Sequence, residues 1–102
     1  MQTESNTNQR PTFARFLLGE TYITPGAEEA LMMAGQTGIE FLRRHMSGDF
    51  GELADEDAQE NELSLQEGFR LLSAYRTAKG QKLWIITEAD RTSTTVLLPD
   101  EY

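Results

Sequence analysis

A chain of 102 residues is the size of one domain, and 17 acidic against 9 basic residues give it a formal charge of −8, which opposes binding to phosphate backbones and anionic lipid. It contains no cysteine, so disulfides, thiolate metal sites and a cysteine nucleophile are excluded. No apolar run approaches the ~20 residues needed to span a bilayer, and the polar start lacks the order of a signal peptide, so a cytoplasmic protein without a membrane partner is expected.

Residues 1 to 12 hold Asn, Thr, Gln, Ser and Pro and little to bury, and read as a disordered tail before a single domain over residues 13 to 102. Gly19 to Ile23 reads as a short strand. Thr24-Pro25-Gly26 then marks a helix start: the Thr24 hydroxyl suits the cap, and Pro25 takes the first helical position, where its missing N–H costs nothing. This helix should run from Pro25 to Ala34, with Ala27, Ala30, Leu31 and Ala34 inward and Gly35 as its stop. A second helix, opening at Thr37 or Gly38 and stopped by Gly48, should bury Ile39, Leu42 and Met46 and expose Glu40, Arg43, Arg44 and Ser47. A third starts at Asp55, whose carboxylate takes the cap, while Glu56 and Asp57 suit the positive end of the helix dipole. Its inner stripe of Ala58, Asn61 or Glu62, and Leu65 is thin and places it at the edge of the body.

After Gly68 the period changes to two. Phe69 to Thr77 and Gln81 to Glu88 read as strands joined by a hairpin at Ala78-Lys79-Gly80. Leu83, Ile85 and Thr87 share one face and Trp84, Ile86 and Glu88 the other, so this strand is either central and covered on both sides or carries Trp84 on a half-covered face. A turn from Glu88 to Ser93 leads to a strand from Thr94 to Leu98, closed by Pro99. The expected fold is α+β, with N-terminal helices packed on a three- to four-stranded antiparallel meander sheet, the fourth strand being the one near Tyr22. The Thr94 to Leu98 strand is taken as an exposed edge through which a homodimer could form.

Three stretches carry candidate chemistry. In Thr87 to Arg91, Glu88 and Asp90 beside Arg91 could do acid/base work or hold an anion; the preferred reading is a turn in which Asp90 accepts N–H groups and Arg91 pairs with Glu88. His45, the only histidine, stands four residues before Asp49, the spacing of a base and its orienting group on one helical face. Gly48 weakens that geometry, and the preferred reading puts His45 near a helix C-terminus, where a partial positive charge is favoured, with Asp49 capping a turn. From Asp49 to Glu67 run eight acidic residues with no Lys or Arg between them. Their candidate interaction face is Glu52, Asp55, Glu56, Asp57, Glu60 and Glu62, read as a solvated helix flank or as an imitation of nucleic-acid charge. No glycine-rich phosphate loop, nucleophile elbow or HExxH pattern occurs, so no cofactor and no metal are expected.

The pieces Thr24-Pro25-Gly26-Ala27, Arg44-His45, Gly48-Asp49-Phe50-Gly51, Asp57, Asn61, Gly68 with Arg70, Ser73 with Tyr75, LWIITEADR, TTVLLP and Tyr102 carry a resemblance. Through them the chain resembles short bacterial proteins of plasmids and integrated elements, sometimes labelled plasmid-related or type I restriction endonuclease subunit M. Phe50 stands where that family commonly has Trp. The resemblance implies no established activity, and the restriction label does not fit a chain without room for a methyltransferase cofactor domain. It does imply a recurring polar set: His45, Asp49, Asn61, Arg70, Tyr75, Glu88, Asp90 and Arg91. The sequence therefore points to a small acidic interaction or regulatory module of a mobile element. Its partner would be a protein with a basic surface, with no direct contact to nucleic acid. The alternative is a small hydrolase or nuclease using His45, Asp49, Glu88 and Arg91. A toxin-like RNA-cutting fold is opposed by the acidic balance.

Overall fold

The computed structural model describes residues 13–102, so the tail expected over residues 1 to 12 lies outside the described residues. In chain order the elements are β1 (Glu20–Ile23), α1 (Pro25–Ala34), α2 (Gly38–Met46), α3 (Asp55–Glu67), β2 (Leu71–Arg76), β3 (Lys82–Thr87) and β4 (Ser93–Leu97), followed by a 3-10 turn at Pro99–Glu101. The α+β architecture is the one expected from the change of period after Gly68. The four strands make one sheet in the order β1-β4-β3-β2.

The meander β2-β3-β4 is antiparallel, but β1 joins β4 in parallel, with Tyr22 opposite Thr95 and Ile23 opposite Val96. Three helices and a hairpin separate β1 from β4, which provides the long crossover that parallel neighbours require. The sheet is therefore mixed rather than antiparallel throughout. It follows that β4 is internal, which corrects its expected place at the edge; the edges are β1 and β2.

Helices cover one face of the sheet. Ala27 and Leu31 of α1 and Phe41 of α2 pack with Tyr75, Leu83, Ile85 and Val96 in one core cluster, and Phe16, Phe50 and Leu71 form a second. Helix α1 is capped as expected, Thr24 Oγ1 accepting the Ala27 N–H at 3.2 Å. The same hydroxyl donates to the Glu101 carboxylate at 2.5 Å, and that carboxylate also accepts the N–H groups of Gly26 (3.1 Å) and Leu98 (2.8 Å). A negative charge at the N-terminus of α1 thus holds the C-terminal turn in place.

Helix α2 departs in part from the face it was expected to bury, whereas α3 keeps its expected inner stripe, with Asn61 buried and Ala58 and Leu65 half-buried, and departs at its cap. On α2 the fully buried residues are Phe41 and His45; of the expected stripe, Leu42 and Met46 are half-buried, Leu42 against the first core cluster, while Ile39 is 65% exposed. The larger apolar surface of Phe41 lies against Tyr75, ring centroids 5.4 Å apart, and His45 finds hydroxyl partners beneath the helix. On α3 the cap position belongs to Ala54, without a side-chain capping bond, and Asp55 is the first helical residue. The buried residues of α3 are Asn61 and Ser64. Asn61 behaves as a strand neighbour of β2: its amide donates to the Leu72 carbonyl at 2.7 Å and accepts the Leu72 N–H at 3.1 Å.

Further along that edge, Ala74 donates to the Phe50 carbonyl at 3.1 Å and accepts from the Glu52 N–H at 2.6 Å. This approach needs Gly51, at φ 78°, because a Cβ there would collide with the Ala74 carbonyl oxygen. Among the described residues no helix is long and apolar enough to cross a membrane.

Replacing Asn61 by Ala removes both partners of Leu72 at once. The expected result is a loss of about 2 kcal/mol in urea unfolding and faster hydrogen exchange at the Leu72 amide. A loss under about 0.5 kcal/mol would show that solvent serves Leu72 equally well.

Candidate functional site

His45 is completely buried, with Nδ1 2.5 Å from Ser73 Oγ on β2 and Nε2 2.8 Å from Thr87 Oγ1 on β3. Thr87 Oγ1 lies 2.7 Å from Thr94 Oγ1 on β4, and Thr94 donates to the Leu18 carbonyl at 2.7 Å. The proton positions follow from the far end of this chain. A carbonyl only accepts, so the single hydroxyl proton of Thr94 goes to Leu18. Thr94 must then accept from Thr87, and Thr87, its own proton engaged, accepts from His45 Nε2–H. Burial, with the charge of Arg91 adding to it, lowers the His45 pKa to about 3, so the ring is neutral. Its Nδ1 lone pair consequently accepts the Ser73 hydroxyl.

Five segments meet in this network: the lead-in at Leu18, α2, and strands β2, β3 and β4. The rings of Phe16 and Phe50 stand edge-on to His45, centroids 5.1 and 6.1 Å away, and seal it from the other side. A Ser-His pair is the geometry of an activated nucleophile, but Ser73 and His45 are both at 0% exposure. A substrate atom has no approach to either in this fold. Among the described residues every buried side-chain N or O has a hydrogen-bond partner, the signature of a completed core network.

The other members of the expected polar cluster are engaged separately. The Asp49 carboxylate pairs with Arg44 Nε at 2.7 Å and accepts the Gly51 N–H at 3.2 Å. The Arg44 guanidinium holds its carboxyl below the usual range. Arg70 donates to the Tyr102 hydroxyl at 2.7 Å. Asp90 accepts the N–H and hydroxyl of Thr92 at 3.1 and 2.6 Å, which is the turn geometry expected.

Arg91 departs from expectation. Instead of pairing with the Glu88 carboxylate, its guanidinium donates to main-chain carbonyls of Phe69 (2.7 Å), Ala89 (3.0 Å), Glu88 (3.1 Å) and Ser64 (3.0 Å). It is the one non-glycine residue at positive φ among the described residues, at 61°. That conformation turns the side chain inward, and the cation meets carbonyls at the C-terminal end of α3, where the dipole favours it. His45, Asp49, Arg70 and the Glu88-Asp90-Arg91 turn therefore have separate partners rather than one shared cleft.

The acidic flank divides in two. Glu62 is held by a bidentate pair with Arg15, both bonds 2.9 Å, and Glu52 by Arg76 at 3.0 Å. Asp55, Glu56, Asp57 and Glu60 are exposed and make no ion pair among the described residues. Shallow grooves border this end of α3. One of about 400 Å³ is lined by Asp49, Phe50, Leu53, Asp55, Ala58 and Glu62 among others. A second of about 340 Å³ includes Leu53, Asp57, Leu72, Arg76, Lys82 and Trp84. Each is lined by apolar and charged side chains together. Among the described residues no three His, Cys, Asp or Glu side chains are grouped to hold a metal.

Comparison of the chain with protein-family models, with curated proteins and with solved structures finds no match. The site is therefore read from its own geometry.

Sequence reasoning missed Ser73, Thr87 and Thr94 as partners of His45. A signal was present: Thr87 falls on the inward face with Leu83 and Ile85, where a hydroxyl needs a partner. The neighbour that supplies it appears only when Thr87 is registered against Thr94.

The histidine has a thermodynamic consequence. Its folded pKa of about 3 lies below the unfolded 6.5, so the unfolded chain takes up the proton first. Stability is then full above about pH 7 and falls as the pH drops through 6.5, at up to about 1.4 kcal/mol per unit. Urea unfolding at pH 7 and pH 5 should differ by about 2 kcal/mol, because the carboxylates lowered by pairing lose their contribution only at more acid pH. His45→Gln should be flat across this window; an equally flat wild type would contradict a buried neutral ring.

Proposed function

We propose that this chain is a small acidic binding module that docks a basic surface of another protein through the first two turns of α3. The observation that carries the reading is the exposed set Asp55, Glu56, Asp57 and Glu60, free of ion pairs among the described residues. Asp55, Glu56 and Asp57 are favoured there by the helix dipole. Glu56 and Glu60, however, stand at i and i+4, where like charges repel by a few tenths of a kcal/mol. A cationic partner relieves that repulsion. The adjoining groove lined by Phe50, Leu53 and Ala58 together with Asp49, Asp55 and Glu62 suits the aliphatic stems of Lys and Arg side chains whose charged ends reach its carboxylates.

A regulatory role on a bacterial mobile element, the setting implied by the sequence resemblance, belongs to the same proposal. The hydrolase or nuclease alternative requires His45, Asp49, Glu88 and Arg91 side by side, and no observation favours it.

A lysine- and arginine-rich peptide titrated into the isotope-labelled protein tests the reading. Amide shifts should concentrate over residues 49 to 62, and affinity should weaken roughly tenfold between about 50 and about 300 mM salt. Glu56→Gln with Glu60→Gln should weaken binding without lowering the melting temperature. Shifts centred elsewhere, or binding indifferent to salt, would contradict it.

A further inference from the structure

The two edges of the sheet are finished differently. On β2 the main-chain groups that face away from β3 belong by alternation to Leu72, Ala74 and, at the strand's end, Arg76; the first two residues are saturated from within the chain, Leu72 by the Asn61 amide and Ala74 by Phe50 and Glu52. On β1 the N–H groups of Glu20 and Thr24 bond to the carbonyls of Thr92 and Val96. By strand alternation the N–H and C=O of Thr21 and Ile23 face outward. Among the described residues nothing pairs with them. All four β1 residues are exposed, Tyr22 at 53% and Ile23 at 41%. Ile23 also approaches Gly38 at the start of α2, beside the exposed Ile39. Open main chain flanked by apolar side chains is a pairing template, and proteins normally blunt it.

We infer that β1 pairs with β1 of a second copy of this chain, antiparallel about a two-fold axis at Tyr22, joining two four-stranded sheets into one. The register is fixed by the outward groups. Thr21 of one copy lies opposite Ile23 of the other, which yields four N–H···O bonds and sets the two Tyr22 side chains opposite each other. Glu20 then faces Thr24, so no two carboxylates oppose. Sliding the strands by two residues loses half of these pairs and brings Pro25 or Gly19 into the ladder.

Charge disposition favours pairing of two copies through β1 over pairing through β2. The acidic α3 packs beside β2, at the far side of the sheet from β1. In the joined sheet the two β2 strands stand seven strand spacings apart, about 34 Å at ~4.8 Å each. Screening in physiological salt acts over about 8 Å, so the two flanks do not repel across that distance. Pairing through β2 would bring the flanks together. An isologous contact also closes both open edges at once, which a separate peptide strand does not.

Sedimentation velocity over a concentration series tests the inference. The species expected at high concentration has twice the monomer mass of 11.5 kDa. Thr21→Pro removes one outward N–H and leaves every bond to β4 in place, and Tyr22→Lys sets two like charges across the axis. Each should weaken dimerisation at least tenfold. Hydrogen exchange on the wild type gives a readout independent of variant folding: the Thr21 and Ile23 amides should become protected as concentration rises. A wild type that stays monomeric at millimolar concentration, a dimer untouched by both variants, or unprotected Thr21 and Ile23 amides in the dimer would overturn it.

Discussion

One neutral imidazole holds the centre of this fold. His45 gives its single N–H to Thr87 and receives the hydroxyl proton of Ser73, and the chain of donors ends on the Leu18 carbonyl. Each hydroxyl has only one proton, so the directions cannot be permuted without leaving a buried donor or acceptor unmatched. Such a loss costs about 1–3 kcal/mol per group, a large part of the 5–15 kcal/mol that stabilises a typical domain. The network therefore fixes the rotation of α2 over the sheet, the register of three strands, and the entry of the chain before β1.

Side chains finish the main chain at several other places. Asn61 completes the β2 edge, Glu101 completes the N-terminus of α1, and Arg91 gathers carbonyls from the β3-β4 turn and the end of α3. Two of the three, Asn61 and Arg91, belong to the polar set that the sequence resemblance singles out. In each case the polar group's valence is consumed by the fold, so the reactive appearance of the polar residues and the stability of a thin core have one cause. The surfaces proposed above for partners are the outer face of α3 and the open side of β1. These lie at opposite ends of the sheet and do not compete.

The sequence showed the elements well and the polar roles poorly, for physical reasons. Pro25–Ala34 was legible because its start and stop are local: a capping hydroxyl, a proline and a glycine. The three strands of the meander were legible from alternation, and Thr87 was placed on the correct face. The face of α2 was legible only in part: Leu42 and Met46 turn partly inward, but Ile39 does not, and the burial of Phe41 and His45 depends on Tyr75 and on hydroxyls 28 and 42 residues away in sequence. The parallel pairing of β1 was also invisible, since no local pattern distinguishes an edge partner for β4 from one for β2. Arg91 was misread because a neighbouring carboxylate is the obvious partner in sequence, whereas a left-handed backbone aims the side chain at carbonyls.

The most direct measurement is the nitrogen NMR spectrum of the His45 ring across the acid range. One protonated nitrogen, Nε2, and one lone-pair nitrogen, Nδ1, are expected, with no change of state from pH 7 down to about pH 4.5 while the protein stays folded. A ring protonated on both nitrogens near pH 6.5 in the folded protein, or one carrying its proton on Nδ1, would contradict the network and the fold built around it.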